Sequence, residues 1–426
     1  MHKRITTFAG KSLRTLLRVR GSSGSALPGL LIEKIDPSFV SSTLNSLPRG
    51  VVLISGSNGK TTTTKMVVEL LESQNLRVFT NRSGSNFVRG VASSLLGAVD
   101  SSGNLQADIA VLELDEAHAV RFIELIQPRY SLFLNVMRDQ LDRFGEIDHT
   151  AALLGKVAQS TTERVVVNRE DPRLVRIAAH LPPERVRYFG LSDALIPLFP
   201  SDDDMRNESS FTTNSKLQAD VVLESLEGNS AQFNIHDTIH RANLKLHGVY
   251  NVYNAAAALT LVRSIMGDAL QNQTLYSTLE NITPAFGRGE TILVNGKSIE
   301  LILVKNPAGF RLSLQSFDAS GHHTMIAIND NYADGRDMSW LWDVEFESLR
   351  EQGVHTVTGV RAYDMALRLQ YDDVTFKHVE TDIRQATRIF VDGPSDLPRR
   401  IYCTYTAMLA IRKELGKHTT VEAIQT

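Results

Sequence analysis

The sequence predicts an α/β protein: a nucleotide-binding domain on a mainly parallel sheet, followed by a smaller Rossmann-like α/β unit. Three observations predict it. Short β-branched runs alternate with segments of helical spacing, as in a sheet covered by helices. A glycine-bearing loop ending in Gly59-Lys60-Thr61 joins the first such run to the first such helix. Beyond residue 291 the alternation starts again.

Composition sets the outer limits. The chain has 426 residues, 42% hydrophobic and 22% charged, which is ordinary for a folded protein of two or three domains. Its single cysteine, Cys403, rules out an intrachain disulfide or a cysteine-rich zinc site and favours a reducing, cytoplasmic setting. Lys and Arg number 45 against 48 Asp and Glu, so no global basic field advertises nucleic acid. No apolar run approaches the roughly 20 residues that span a bilayer.

The elements follow in order. The first 20 residues carry six basic side chains and no acid, between Ile5, Phe8, Leu13, Leu16 and Leu17. They read as a basic first helix packed on the domain, or else as a targeting peptide or a membrane-surface helix at the inner face of the plasma membrane. Gly21 to Gly29 reads as a joint. Val51 to Ser55 is a strand; in the helix that follows, Met66, Val67, Leu70 and Leu71 share one face. Ile109 to Glu113, Leu132 to Asn135 and Val165 to Asn168 are further strands. Ser201 to Lys216 is a polar loop, and Val221 to Leu246 is an antiparallel meander turning at Glu227-Gly228-Asn229. The Ala-rich stretch from Tyr250 is helical by propensity. In the second unit, Ile299 to Val304, Thr324 to Asn329, His355 to Gly359 and Arg388 to Val391 are candidate strands. The expected boundaries are a basic arm and linker at 1–45, an ATP-binding domain at 46–290 with a cysteine-free insertion at 195–246, and a C-terminal domain at 291–426.

Gly56-Ser57-Asn58-Gly59-Lys60-Thr61 has the chemistry of a phosphate loop. Backbone N–H groups and a helix N-terminus can face phosphate oxygens, Lys60 can neutralise their charge, and the Thr61 hydroxyl can reach Mg²⁺. The bland alternative is a glycine turn capping a helix. Ile54 stands where the first glycine of the longer GxxxxGKT loop would be.

The short GxxGKT loop followed by Thr62, Thr63 and Thr64 resembles the Mur ligase family, which includes stem-peptide ligases and folylpolyglutamate synthases. Val111-Leu112-Glu113-Leu114 is similar to the strand whose glutamate binds Mg²⁺. Asn135-Val136 with Asp139-Gln140-Leu141-Asp142-Arg143 resembles N-V-x-x-D-H-L-D-R, and Gly248 to Asn254 resembles the adenine-side G-x-H-N-x-x-N. The resemblance implies ATP and Mg²⁺, with Gly56, Ser57, Asn58, Gly59, Lys60, Thr61, Thr62, Asn251, Asn254 and the interdomain Arg288 at the nucleotide and Thr61 and Glu113 at the metal. As a bland alternative, Glu113 is a satisfied strand-end carboxylate. Gln140 replaces the family's histidine, and a neutral amide is a poor Mg²⁺ ligand. Lys156 is the nearest counterpart, about one residue out of step, of the lysine carbamylated in several relatives.

Within that family, Val304 to Phe310 and Ile328 to Asp343 resemble the MurT branch, synthetase subunits of lipid II isoglutaminyl synthase. The 55 residues before Gly56 are expected to be too few for a separate UDP-binding domain. The resemblance implies amidation of the stem-peptide D-glutamate of lipid II at the membrane surface, with ammonia from a GatD-type glutaminase partner. It also implies that an aspartate here serves the partner's catalytic histidine: Asp337, or alternatively Asp343. Against this, Asp337 reads as a helix N-cap before Met338-Ser339-Trp340. Trp340 and Trp342 read as core or interface anchors. Cys403 reads as a buried structural thiol in a helix-like stretch. Some relatives carry a zinc ribbon, but His236, His240 and His247 are too scattered to build one, so no zinc is expected. Two other functions stay open: a folylpolyglutamate synthase-like ligase and a catalytically silent nucleotide-binding scaffold.

Overall fold

The computed structural model describes residues 26–417 and 419, apart from 82–87, 139–146, 200–216, 247, 284–287, 295, 318–319 and 395–396. The basic arm lies outside the described residues. The chain enters as α1 (Ala26–Ile35) and α2 (Phe39–Leu44). Thus the expected joint is helical from Ala26. Gly29 serves close packing here, because a Cβ on it would stand 2.0 Å from the carbonyl oxygen of Arg89.

The larger sheet has nine strands in the order β2-β3-β1-β4-β5-β6-β7-β8-β9. They are β1 (Val51–Ser55), β2 (Val78–Thr80), β3 (Ile109–Glu113), β4 (Tyr130–Phe133), β5 (Arg164–Asn168), β6 (Val186–Leu191), β7 (Val221–Glu227), β8 (Ser230–Ile235) and β9 (Thr238–Asn243). All pairings through β6 to β7 are parallel, and β7 to β9 are antiparallel. The meander therefore extends the main sheet. Its helices are α3 (Lys60–Ser73), α4 (Val88–Ala98), α5 (Glu116–Ile123), α6 (Ile147–Ser160), α7 (Pro172–Ala178), α8 (Val249–Met266) and α9 (Asn272–Asn281).

Every residue of β1 is buried, which is why this strand is a continuous apolar run rather than an alternating one. Val52 and Ile54 join a core with Met66 and Ala255 to Leu259, whereas Val51 and Leu53 join another with Leu95, Phe122 and Leu154. Strand order reverses at β1, since β3 lies on one side and β4 on the other. A ligand crevice belongs at the carboxyl ends of strands at such a switch point.

The second sheet has six strands in the order β10-β11-β15-β12-β13-β14. These are β10 (Arg288–Val294), β11 (Lys297–Leu303), β12 (His323–Ala327), β13 (Val354–Thr358), β14 (Phe376–Glu380) and β15 (Arg399–Cys403), with α10 (Pro307–Ser316), α11 (Ala362–Tyr371), α12 (Ile383–Asp392) and α13 (Tyr405–Leu415). Only β10 runs antiparallel to its neighbour. The expected strand at Arg388 to Val391 is the last part of α12. Four apolar-rich residues fit either period, and burial of Ala386, Thr387, Phe390 and Val391 follows the helical one. Cys403 ends β15, before α13 begins at Tyr405, so its setting is a strand and not a helix. No helix among the described residues is long and apolar enough to cross a membrane.

Candidate nucleotide site and domain contact

The loop between β1 and α3 makes its turn through two glycines, Gly56 at φ 131° and Gly59 at φ 87°. At Gly59 a Cβ would also meet the Asn254 side chain at 2.8 Å, so only glycine lets α8 approach this closely. Asn135, just past β4, holds the loop open. Its carbonyl accepts from Ser57 N at 3.0 Å, its Oδ1 accepts from Asn58 N at 2.9 Å and its Nδ2 donates to Asn58 O at 3.1 Å. The Ser57 hydroxyl accepts from Met137 N and donates to Met137 O, both at 2.9 Å.

Lys60 opens α3 and is 5% exposed. Its ammonium donates to Gly56 O at 2.5 Å and pairs with Asp115 Oδ1 at 3.3 Å. These two contacts hold the Lys60 side chain over the loop. Beside it the Thr61 hydroxyl donates to Glu113 Oε1 at 2.9 Å. Glu113 is 6% exposed at the end of β3, and the Asn81 amide brackets its backbone at 3.0 and 2.8 Å.

This donor set fits Mg²⁺. A magnesium site needs one or two carboxylates and a hydroxyl with phosphate oxygens and waters, not an all-protein cage. The buried Thr62 Oγ1 and Glu116 Oε1 have no hydrogen-bond partner among the described residues. Among the described residues no group of three His, Cys, Asp or Glu side chains is gathered to hold a metal unaided.

A cleft runs from this loop to the second sheet. Asn58, Gly59, Asn251 and Asn254 line one wall, and Lys305, Gly309 and Phe317 line the other. Lys305 Nζ donates to Ser57 O at 2.8 Å, and Asn306 Nδ2 donates to Asn58 Oδ1 at 3.1 Å. Asn306 also caps α10 by accepting from Gly309 N at 2.7 Å. The second unit thus grips the phosphate loop itself. Lys305 and Asn306 lie in the Val304 to Phe310 segment without a role legible from sequence, and Asp115 and Glu116 are additional carboxylates that no sequence motif singled out. The available signal was a pair of carboxylates, Asp115-Glu116, beginning two residues past the strand-end Glu113.

The carboxylates after β12 are separated by the fold. Asp334 is buried against α13, accepting from Thr406 N at 2.7 Å and from its hydroxyl at 2.5 Å, and burial raises its pKa. Asp330 pairs with Arg361 at 3.7 Å. Asp337 Oδ1 accepts from Ser339 N at 2.9 Å just ahead of the 3₁₀ turn Ser339–Asp343, and hydrogen bonding from the Ser339 side chain, then from its backbone N–H, lowers the Asp337 pKa. At the far end of the same turn Asp343 pairs with Arg138 of the nine-stranded unit at 2.7 Å. Trp340 is buried edge-on to Phe310, whereas Trp342 is half exposed, edge-on to Tyr371.

Tyr363, Leu367 and Tyr371 fall on one exposed face of α11 at i, i+4 and i+8, with exposures of 69%, 48% and 70%. Cys403 is fully buried, and burial pushes its thiol pKa far up, so it is no nucleophile. Lys156 is exposed on α6. His240 stacks on Tyr276. Asp139, Gln140, Asp142, Arg143 and His247 lie outside the described residues, as does the side chain of Arg288 at the start of β10.

Comparison with known proteins is consistent along the chain. The model for the Mur ligase middle domain matches residues 54–262, and that for the MurT ligase C-terminal domain matches 303–408. The chain is 30% identical over 410 residues to the lipid II isoglutaminyl synthase (glutamine-hydrolyzing) subunit MurT of Staphylococcus aureus strain COL, covering 90% of this chain and 91% of that one. It is 29% identical over 446 residues to the corresponding subunit of Streptococcus pneumoniae strain ATCC BAA-255 / R6, covering 97% of each. A MurF ligase from Thermotoga maritima, solved in complex with ADP, shares the fold at a TM-score of 0.66 and 18% identity, over 90% of this chain and 84% of that one.

Proposed function

Because the chain belongs to the MurT family of Mur-type, ATP-dependent ligases, we propose that it amidates the α-carboxyl of D-glutamate in the lipid II stem peptide, with ammonia from a glutaminase subunit. One observation carries the reading. A phosphate loop with a hydroxyl–carboxylate pair at 2.9 Å sits in a chain that matches an isoglutaminyl synthase subunit over 91% of its length.

The chemistry follows from what the residues can do. A carboxylate is a poor electrophile, so its oxygen takes the γ-phosphoryl group of ATP, and ADP leaves. Ammonia then attacks the acyl carbon, inorganic phosphate departs with the original carboxylate oxygen, and loss of a proton leaves the amide. Lys60 and the N–H groups at the start of α3 offset charge on the transferring phosphoryl. Thr61 and Glu113 would hold Mg²⁺, which supplies charge neutralisation on the phosphate oxygens. Asn251, Asn254 and Arg288 are assigned to the nucleotide on the adenine and interdomain sides.

A buried Cys403 cannot release ammonia, so that thiol belongs to the partner. Asp337 is the better candidate to orient the partner's histidine, since Asp343 is already engaged by Arg138. The exposed face of Tyr363, Leu367, Tyr371 and Trp342 is the surface the partner would cover. With lipid II as substrate, the reaction is assigned in this reading to the cytoplasmic face of the membrane.

The test is amidation of purified lipid II by the chain and its glutaminase, followed by mass spectrometry. Product with ATP and either glutamine or ammonium supports the reading. A complex that makes none from ATP and ammonium overturns it.

A further inference from the structure

We propose that the Arg138–Asp343 ion pair is a positioning element that ties ammonia release in the partner to the ligase site. The proposal rests on the reading that Asp337 serves the glutaminase.

Arg138 Nη1 donates to Asp343 Oδ2 at 2.7 Å across the boundary between the two sheets' units. On one side, Arg138 follows Met137, whose backbone N and O both engage the hydroxyl of Ser57 in the phosphate loop, each at 2.9 Å. On the other, Asp343 ends the 3₁₀ turn Ser339–Asp343, whose first N–H donates to Asp337. That turn is seated in the core of the C-terminal unit, with Phe310 and Phe346, by Trp340 and Leu341, which are 7% and 1% exposed. The phosphate loop and Asp337 are thus joined through a short run of packed parts that includes this ion pair, alongside the Lys305 and Asn306 bonds to the loop.

That contact is poor as a stabilising device. Its side chains are 28% and 44% exposed, and pairs so open to water add little to stability. What such a pair fixes is position. If nucleotide binding shifts the Ser57–Met137 clamp, Arg138 moves with it and carries Asp343, and so Asp337, toward or away from the partner. Energetic coupling between sites is established by whether two changes compensate, not by adjacency.

The experiment uses the full complex with lipid II, ATP and glutamine, and measures amide formed per glutamine hydrolysed. Arg138→Asp and Asp343→Arg should each lower this ratio several-fold, and the double charge swap should restore most of it. Arg138→Gln and Asp343→Asn, which keep shape without charge, should give the same loss if a reversal fails to fold. The proposal is overturned if the single variants keep the wild-type ratio. It is equally overturned if Asp343→Arg abolishes glutamine hydrolysis, Arg138→Asp does not, and the swap fails to rescue, because Asp343 would then serve the partner directly. A wild-type complex that makes no amide from either nitrogen source overturns the underlying reading as well, so the two failures are distinguishable.

Discussion

Thr61 and Glu113 are 52 positions apart in sequence, yet the threonine hydroxyl donates to the glutamate carboxylate at 2.9 Å. Adjacent parallel strands make this possible: Ile54 of β1 pairs with Glu113 of β3, so the loop after β1 and the end of β3 reach the same level. Lys60 and Thr61 begin the helix and Glu113 ends the strand.

Replacing Glu113 by Gln keeps the size and one acceptor but removes the charge. The Mg²⁺ concentration for half-maximal turnover should rise by at least on the order of 10-fold. Titration of turnover against Mg²⁺ checks this, and an unchanged midpoint would make Glu113 a structural carboxylate only.

Asp337→Asn separates charge from hydrogen bonding. Asparagine keeps an acceptor oxygen for Ser339 N, so the turn and its stability should be kept within about 1 kcal/mol. Glutamine-dependent amidation should fall by on the order of 10⁴-fold, as when the orienting carboxylate of a triad is neutralised. Amidation with ammonium should be retained. Equal loss with both nitrogen sources would move Asp337 into the ligase site.

Leu367→Asp places a charge in the middle of the exposed α11 stripe, where folding needs no apolar side chain. Partner affinity should weaken by at least on the order of 10-fold, the scale of an interface anchor. Sedimentation or interferometry with the isolated partner reads this directly, and unchanged affinity would remove α11 from the interface.

His323, His355 and His378 stand side by side on β12, β13 and β14, with ring centroids 4.1 and 4.9 Å apart. Burial, then the neighbouring imidazoles, Lys377 and Arg399, push His355 down to about 4, and burial lowers His323. The unfolded chain takes up these protons near about pH 6.5, and the folded one resists them. The folded pKa is lowered, so the unfolded state binds more protons, and stability is lost as pH falls from about 6.5 toward about 4. Thermal unfolding across that range should show the slope, and His355→Gln should flatten it.

The central sheet was legible because its strands are buried on both faces and read as unbroken apolar runs between helical periods. The phosphate loop was legible because Gly56, Gly59, Lys60 and Thr61 are local in sequence. What sequence could not show was contact at a distance: Asn135 as the loop's template, Lys305 and Asn306 gripping it, and Asp343 joined to Arg138. Four apolar-rich residues at Arg388 to Val391 carry no decisive period, and so a helix was read as a strand. The small residues at Gly21 to Gly29 looked like a joint, although Gly29 is small because a neighbouring backbone lies against it.

The most direct test of the central claim follows oxygen. Lipid II carrying a heavy oxygen isotope in the D-glutamate α-carboxylate is incubated with the complex, ATP, Mg²⁺ and ammonium, and the released phosphate is weighed by mass spectrometry. If the chain activates that carboxylate by phosphorylation, each amide formed leaves one labelled oxygen in phosphate. Amide formation with unlabelled phosphate, or ADP release without any amide, would contradict the account.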